Sequence, residues 1–68
     1  MRAKAVTAVK YLKTLYQDKK RVTTKKQINS ELTRSHGSGC PIIMLELQLR
    51  GYVKPTKGNY MITAKVQE

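Results

Sequence analysis

The chain has 68 residues, 40% of them hydrophobic, which is enough for one small core and too many for a disordered tail. Fourteen lysine and arginine residues against four acidic ones give a net charge of +10, which favours a polyanionic partner such as nucleic acid. The single cysteine, Cys40, excludes an intrachain disulfide, and no apolar run is long enough for a membrane span or signal peptide. We therefore expect a cytoplasmic protein without a membrane partner.

The first predicted element is a helix over about residues 4–17. Its apolar residues recur in steps of three and four, which is the spacing of one helical face. These residues are Val6, Val9, Leu12, Leu15 and Tyr16. The helix is expected to end just before the basic run Lys19-Lys20-Arg21, and Val22 is then predicted to be a short strand or an isolated anchor residue.

A second helix is predicted over about residues 24–34. Thr24 and Gln27 have the spacing of a capping box, in which the hydroxyl caps the new helix and the amide three residues later bonds back. Ile28 and Leu32 are four residues apart and are expected to form the buried face. The residues between them are expected to face solvent.

A turn over residues 35–39 should separate this helix from a third one over about residues 40–50. The turn contains two glycines and two serines, which do not easily continue a helix. Pro41 is tolerated in a first helical turn because its missing N–H has no intrahelical use there. Gly51 can adopt a positive φ and is the expected C-terminal stop.

The third helix has two apolar sides when residues are placed at about 100° each. The side expected to face the core consists of Cys40, Ile43, Met44 and Leu47. The opposite side carries Ile42, Leu45 and Leu49, which we call the outer stripe. Either the outer stripe is buried against another chain, or the helix approaches a ligand by its N-terminal end.

The rest of the chain changes from helical to alternating periodicity. Residues 52–54 and 60–63 are predicted strands, and residues 55–59 contain the proline, glycine and asparagine typical of a hairpin turn. Residues 64–68 are expected to be a frayed end.

The order helix, helix, turn, helix, hairpin resembles the winged helix-turn-helix family, especially its small single-domain regulators. The resemblance covers nearly the whole chain and is carried by two segments, Leu47-Gln48-Leu49-Arg50-Gly51-Tyr52-Val53 and Gly58-Asn59-Tyr60-Met61-Ile62-Thr63. It implies an α+β fold, with three helices followed by a two-stranded β-hairpin wing over about residues 52–63. Residues 1–68 would then form a single domain.

The resemblance also implies a DNA-binding transcriptional regulator of the phage, plasmid or small-operon kind, nucleoid-associated if bacterial or phage. Such a domain would contact duplex DNA mainly through phosphates, from the helix-turn-helix and the basic wing. The candidate DNA-binding residues are Thr23, Thr24, Lys25, Lys26, Arg34, His36, Ser38, Gln48, Lys54, Lys57 and Asn59. The outer stripe is a poor match for base edges, because aliphatic side chains offer only thymine-methyl contacts.

Two other functions remain open at this point. One is a protein-interaction module, a homodimer or hetero-oligomer, with Ile42, Leu45 and Leu49 as its interface. The other is a structural RNA-binding winged-helix protein.

An enzyme is not expected. His36 and Cys40 are four residues apart, but no third group stands ready to orient them, and Cys40 falls on the core side. One histidine, one cysteine and four scattered carboxylates do not make a metal site, and no cofactor is predicted.

Overall fold

The computed structural model covers all 68 residues and has an α+β fold of three α-helices and a three-stranded antiparallel sheet. In chain order the elements are α1 (Ala3–Gln17), β1 (Val22–Thr23), α2 (Lys25–His36), α3 (Ile43–Leu49), β2 (Val53–Thr56), β3 (Asn59–Ile62) and a C-terminal 3-10 turn (Ala64–Gln67). The strand order β1-β3-β2 places β3 at the centre of the sheet.

The sheet has three strands, so the expectation of a two-stranded hairpin alone is wrong. Val22 pairs with Met61 and Thr23 with Tyr60, which adds β1 to the free edge of β3. Of the two predictions for Val22, the short strand is therefore the one confirmed. The pairing joins segments almost forty residues apart, and a local sequence pattern carries no signal for it.

The hairpin turn is shorter than predicted. Thr56 pairs with Asn59, so only Lys57 and Gly58 lie between the strands. Both have positive φ, 46° and 82°, as a type I′ turn requires. Pro55 lies within β2, which is an edge strand where a missing N–H is tolerated.

The buried face of α1 is centred on its alanines. Ala5 and Ala8 are 1% and 0% exposed, whereas Val6 and Val9 are only partly buried. Small side chains at these two positions let α2 and the C-terminal turn approach α1 closely. The helical spacing alone does not distinguish the alanines from the larger neighbouring valines.

The predicted capping box and the stop at Gly51 are confirmed, but α2 runs to His36 and so includes the first two residues of the predicted turn. The Thr24 hydroxyl accepts from the Gln27 N–H and the Gln27 side chain accepts from the Thr24 N–H, which completes the capping box. Gly51 follows α3 with a φ of 84°. The helix α3 is shorter than expected, because it begins at Ile43 and residues 40–42 form a turn before it.

The C-terminal residues are ordered, contrary to the expected frayed end. Thr63 caps the 3-10 turn by accepting from the Lys65 N–H, and its hydroxyl donates to Gly51 O at 2.7 Å. Val66 is 2% exposed and belongs to the hydrophobic core, where the turn packs against α1. One buried valine among polar residues gives no periodic signal, so the sequence pattern does not reveal this contact.

The helix α1 ends in a Schellman motif with a lysine at the left-handed position. Lys20 N donates to Leu15 O and Lys19 N donates to Tyr16 O, the two bonds that define the motif. Lys19 has a φ of 64°, where glycine is preferred. A side chain there costs about 1 kcal/mol, and Lys57 in the hairpin turn carries a similar strain.

Candidate nucleic-acid interface

The strand register brings the start of α2 beside the hairpin turn. Thr23 is paired with Tyr60, so the next residue, Thr24, is level with Asn59, which closes the turn. Neighbouring strands lie about 4.8 Å apart, so these two backbone segments are close neighbours. Thr24 is also the N-cap of α2. The first turn of α2 and the hairpin turn therefore share one end of the sheet.

Three exposed lysines lie at this end of the sheet and a fourth lies two pairs along β2 from it, and we call the four the hairpin-tip cluster. They are Lys25, Lys26, Lys54 and Lys57. The first two open α2 and Lys57 forms the turn. Lys54 is opposite Met61 on the outer, solvent-facing side of the sheet. Segments distant in sequence thus contribute to one basic surface.

The first turn of α2 presents unpaired N–H groups as well as positive side chains. No acidic residue lies in this turn, and the N–H groups of Lys25 and Lys26 donate to no acceptor in the protein. A helix N-terminus carries about half a positive charge from the aligned peptide dipoles. Two lysines at this position repel that charge, so the arrangement suits an anion bound at the N-terminus of the helix.

Two of the four acidic side chains, Glu31 and Glu46, pair with arginines, and none pairs with a lysine. Ion pairs join Arg2 to Glu46 at 2.5 Å, Arg50 to Glu46 at 3.9 Å, and Arg34 to Glu31. No lysine lies within 4 Å of a carboxylate oxygen. The hydrogen bond from Arg2 and its charge hold the pKa of Glu46 below its ordinary value, with a smaller contribution from Arg50. The bond from Arg34 lowers the pKa of Glu31 in the same way.

The candidate residues around the helix-helix turn form a separate group. Arg34 is bound to Glu31, the His36 ring Nε2 lies 2.7 Å from the Thr7 hydroxyl, and Ser38 accepts from Lys4 Nζ at 2.7 Å. All three are exposed, but their polar groups already have partners within the protein. They lie at the far end of α2, about 16 Å from its first turn. The structure does not place them with the hairpin-tip cluster.

The remaining candidates divide between core and surface. Thr23 is 0% exposed and its hydroxyl donates to Gln27 Oε1 at 3.4 Å. The prediction that this side chain contacts a phosphate is therefore wrong. Thr24 uses its hydroxyl to cap α2. Asn59 and Gln48 are exposed and their side chains have no hydrogen bond within the protein. Of these, Asn59 is at the hairpin tip and Gln48 is on α3.

Asn29 fixes the turn before α3, a role that the sequence analysis missed by expecting it to face solvent. Its Oδ1 accepts from the Cys40 N–H at 2.7 Å. A Cβ on Gly39 would lie 2.3 Å from the same oxygen, so only glycine fits there without moving the amide. Lys4 Nζ also donates to Gly39 O at 3.0 Å. The turn is thus held from α1 and α2 together.

The predicted division of α3 into a buried and an outer side is confirmed. Ile43, Met44, Leu47 and the preceding Cys40 are buried, whereas Ile42, Leu45 and Leu49 are 52%, 54% and 78% exposed. Glu46 lies beside the outer stripe but is engaged with two arginines. The solvent-facing surface of α3 is therefore mainly aliphatic.

No pocket opens in the surface, and no three His, Cys, Asp or Glu side chains lie close enough to hold a metal ion. No helix combines the length and the apolar content needed to cross a membrane. Comparison of the chain with protein-family models, curated proteins and solved structures finds no match. The hairpin-tip cluster and the outer stripe are therefore the two surfaces that can indicate a function.

Proposed function

We propose that this chain is a winged-helix DNA-binding regulator that holds duplex DNA chiefly by its phosphates. The observation that carries the proposal is the β1–β3 register, which brings the first turn of α2 beside the hairpin turn. In this assignment β2 and β3 form the wing, with β1 at their edge, and α2 and α3 form the helix-turn-helix. The hairpin-tip cluster is the main contact surface.

The first turn of α2 would take a phosphate directly. The N–H groups of Lys25 and Lys26 point away from the helix and have no protein partner. A phosphate there gains from the helix dipole and from both ammonium groups, and it removes the repulsion between them. Lys57 at the wing tip and Lys54 on the wing would bind phosphates further along the duplex.

Sequence recognition by α3 would be weak. The outer stripe offers methyl contacts to thymine, and among the exposed side chains of α3 only Gln48 has the amide that reads adenine. A protein with this surface would regulate by occupying DNA or by recruiting a partner, with most of its affinity independent of base sequence.

The test is fluorescence anisotropy with a labelled duplex of about 16 base pairs at low salt. The variant Lys25→Gln/Lys26→Gln should bind at least about tenfold more weakly than wild type, because two phosphate contacts are lost. The matched control is Lys10→Gln/Lys13→Gln, which removes the same charge from the exposed side of α1 and should change the affinity less than about twofold. Equal losses in both variants would contradict a localised site.

Competition with a structured RNA separates the two kinds of nucleic acid. Unlabelled RNA hairpin and unlabelled duplex DNA are titrated against the same bound probe. We expect the DNA to compete better, since a wing and a helix N-terminus match the width of B-form grooves. If the RNA competes better, the phosphate-binding surface belongs to an RNA-binding protein instead.

The outer stripe supports a second candidate function, a protein interface. Its three aliphatic side chains are more than half exposed and recur at helical spacing, so they are accessible to a protein partner. Sedimentation of the wild-type protein over a range of concentrations measures self-association directly. A monomer at all concentrations, with DNA present or absent, would count against a homodimer through this surface.

A further inference from the structure

The loop between α1 and β1 carries three consecutive basic residues at the opposite end of the sheet from the hairpin turn. Arg21 O accepts from Ile62 N at 2.7 Å, and Ile62 is the last residue of β3. The loop is therefore three residues along β3 from Asn59, which corresponds to about 10 Å. Lys19, Lys20 and Arg21 are exposed and have no carboxylate within 4 Å.

The two ends of the sheet share a feature found nowhere else in the chain. Lys19 and Lys57 are the two non-glycine residues with positive φ, at 64° and 46°, and each stands at the apex of its turn. Glycine is preferred at both positions, the one after a Schellman helix end and the first in a type I′ turn. The backbone therefore does not explain the lysine in either place. A cation at the end of α1 also complements the helix dipole, but that explanation does not extend to Lys57.

Arg21 is held in a fixed position beside the two lysines. Its guanidinium carbon lies 3.7 Å from the centre of the Tyr16 ring, and Nη1 donates to Tyr16 O at 2.7 Å. One of its five N–H groups is used in this way, which leaves others free for a ligand. A stacked guanidinium loses little freedom when it binds a phosphate.

We propose that Lys19, Lys20 and Arg21 form a second phosphate-binding site for nucleic acid. The proposal depends on the proposed function, because it extends the same ligand chemistry to the other end of the sheet. The phosphates could belong to the same duplex, about three base-pair rises from those at the hairpin turn, or to a second duplex bridged to the first.

The experiment uses Lys19→Gly, which removes the charge and relieves the backbone strain in one change. Lys19→Arg keeps both the charge and the strain, and Lys10→Gln on α1 is the control for loss of one charge outside the loop. Affinity for a single duplex is measured between 50 and 200 mM salt. Energy transfer between donor-labelled and acceptor-labelled duplexes measures bridging, and thermal unfolding measures stability.

We expect Lys19→Gly to unfold at the wild-type temperature or a few degrees above it, because its strain is gone. If the site holds the same duplex, the slope of log affinity against log salt falls by about 0.9, as for one lost phosphate contact. If it holds a second duplex, the slope is unchanged and the energy transfer is lost. Lys19→Arg and Lys10→Gln should behave like wild type.

Unchanged slope and unchanged energy transfer in Lys19→Gly would overturn the second site. The proposed function would survive that result if Lys25→Gln/Lys26→Gln still loses affinity. A lower unfolding temperature with unchanged binding would assign Lys19 to the helix dipole and would also overturn the proposal. Failure of the wild-type protein to bind any duplex would remove the proposed function and the second site together.

Discussion

The hairpin-tip cluster and the outer stripe are both exposed, but they are built in different ways. The cluster gathers residues from two distant segments through the β1–β3 register, and all of its charges are without a carboxylate partner. The outer stripe consists of nearby residues on α3 and at its N-cap, and the carboxylate beside it is paired with Arg2 and Arg50. Charge is thus left unpaired at one surface and neutralised at the other. This difference is the reason that we propose polyanion binding at the ends of the sheet rather than at the third helix.

Removing the whole hairpin-tip cluster should give the largest effect. The four contacts of the cluster by themselves predict that affinity for duplex DNA falls about 150-fold between 50 and 200 mM salt. The variant that combines Lys25→Gln, Lys26→Gln, Lys54→Gln and Lys57→Gln should bind far more weakly, and its salt dependence should fall to that of the Lys19–Arg21 loop alone, as measured by fluorescence anisotropy. A four-charge variant that keeps the wild-type slope would show that the two surfaces do not differ in this way.

Gly39→Ala should be the most destabilising single change at the turn before α3. The new Cβ would displace the Asn29 amide from the Cys40 N–H, and we expect a loss of about 2 kcal/mol in the free energy of unfolding. Gly37→Ala is the matched control, because its Cβ meets open space and only the positive φ is strained, which costs about 1 kcal/mol. Urea unfolding of both variants measures the difference, and equal losses would contradict the steric argument.

Changing the outer stripe should separate protein contact from DNA contact. We expect Leu45→Gln/Leu49→Gln to bind duplex DNA within about twofold of wild type, because phosphate contacts lie elsewhere. The same variant should sediment as a monomer at concentrations where the wild type self-associates, since the apolar contact is lost. A large loss of DNA affinity with unchanged mass would place the stripe in a groove of the duplex.

Lowering the pH should weaken the ion pairs between carboxylates and arginines, and this is the smallest of the four predicted effects. The folded-state pKa values of Glu46 and Glu31 are lowered, so their contribution to stability is present above the unfolded pKa and is lost as pH falls through the folded value. Glu46→Gln should therefore lower the unfolding temperature slightly at neutral pH, and the gap to wild type should close in strong acid. Glu68→Gln has no ion pair to lose and should follow wild type at every pH.

The features that the sequence predicted correctly depend on neighbouring residues. The Thr24 capping box, the stop at Gly51 and the two sides of α3 are each encoded within a few positions. The features that it missed depend on distant contacts. Val66 is buried because α1 covers it, and Asn29 is turned inward because the Cys40 N–H needs an acceptor.

The candidate site shows the same division between features that neighbouring residues encode and features that depend on distant contacts. Basic composition predicts that lysines matter, but only the strand register shows which ones lie together. It groups Lys25 and Lys26 with the hairpin and leaves Arg34 at the other end of α2. Thr23 does not belong to the site because its side chain is buried. The sequence did not reveal this, because a two-residue strand is too short for alternation to indicate which side faces the core.

The contacts of Asn29 with the turn have a consequence for protein engineering. The turn is fixed from its inner side by Asn29 and Lys4, so its geometry does not depend on the side chains that α3 presents to solvent. The residues at positions 42, 45 and 49 can therefore be substituted without changing the geometry of the turn. If the proposed function holds, Asn, Gln or Arg placed at these positions would give a library from which base-specific variants can be selected.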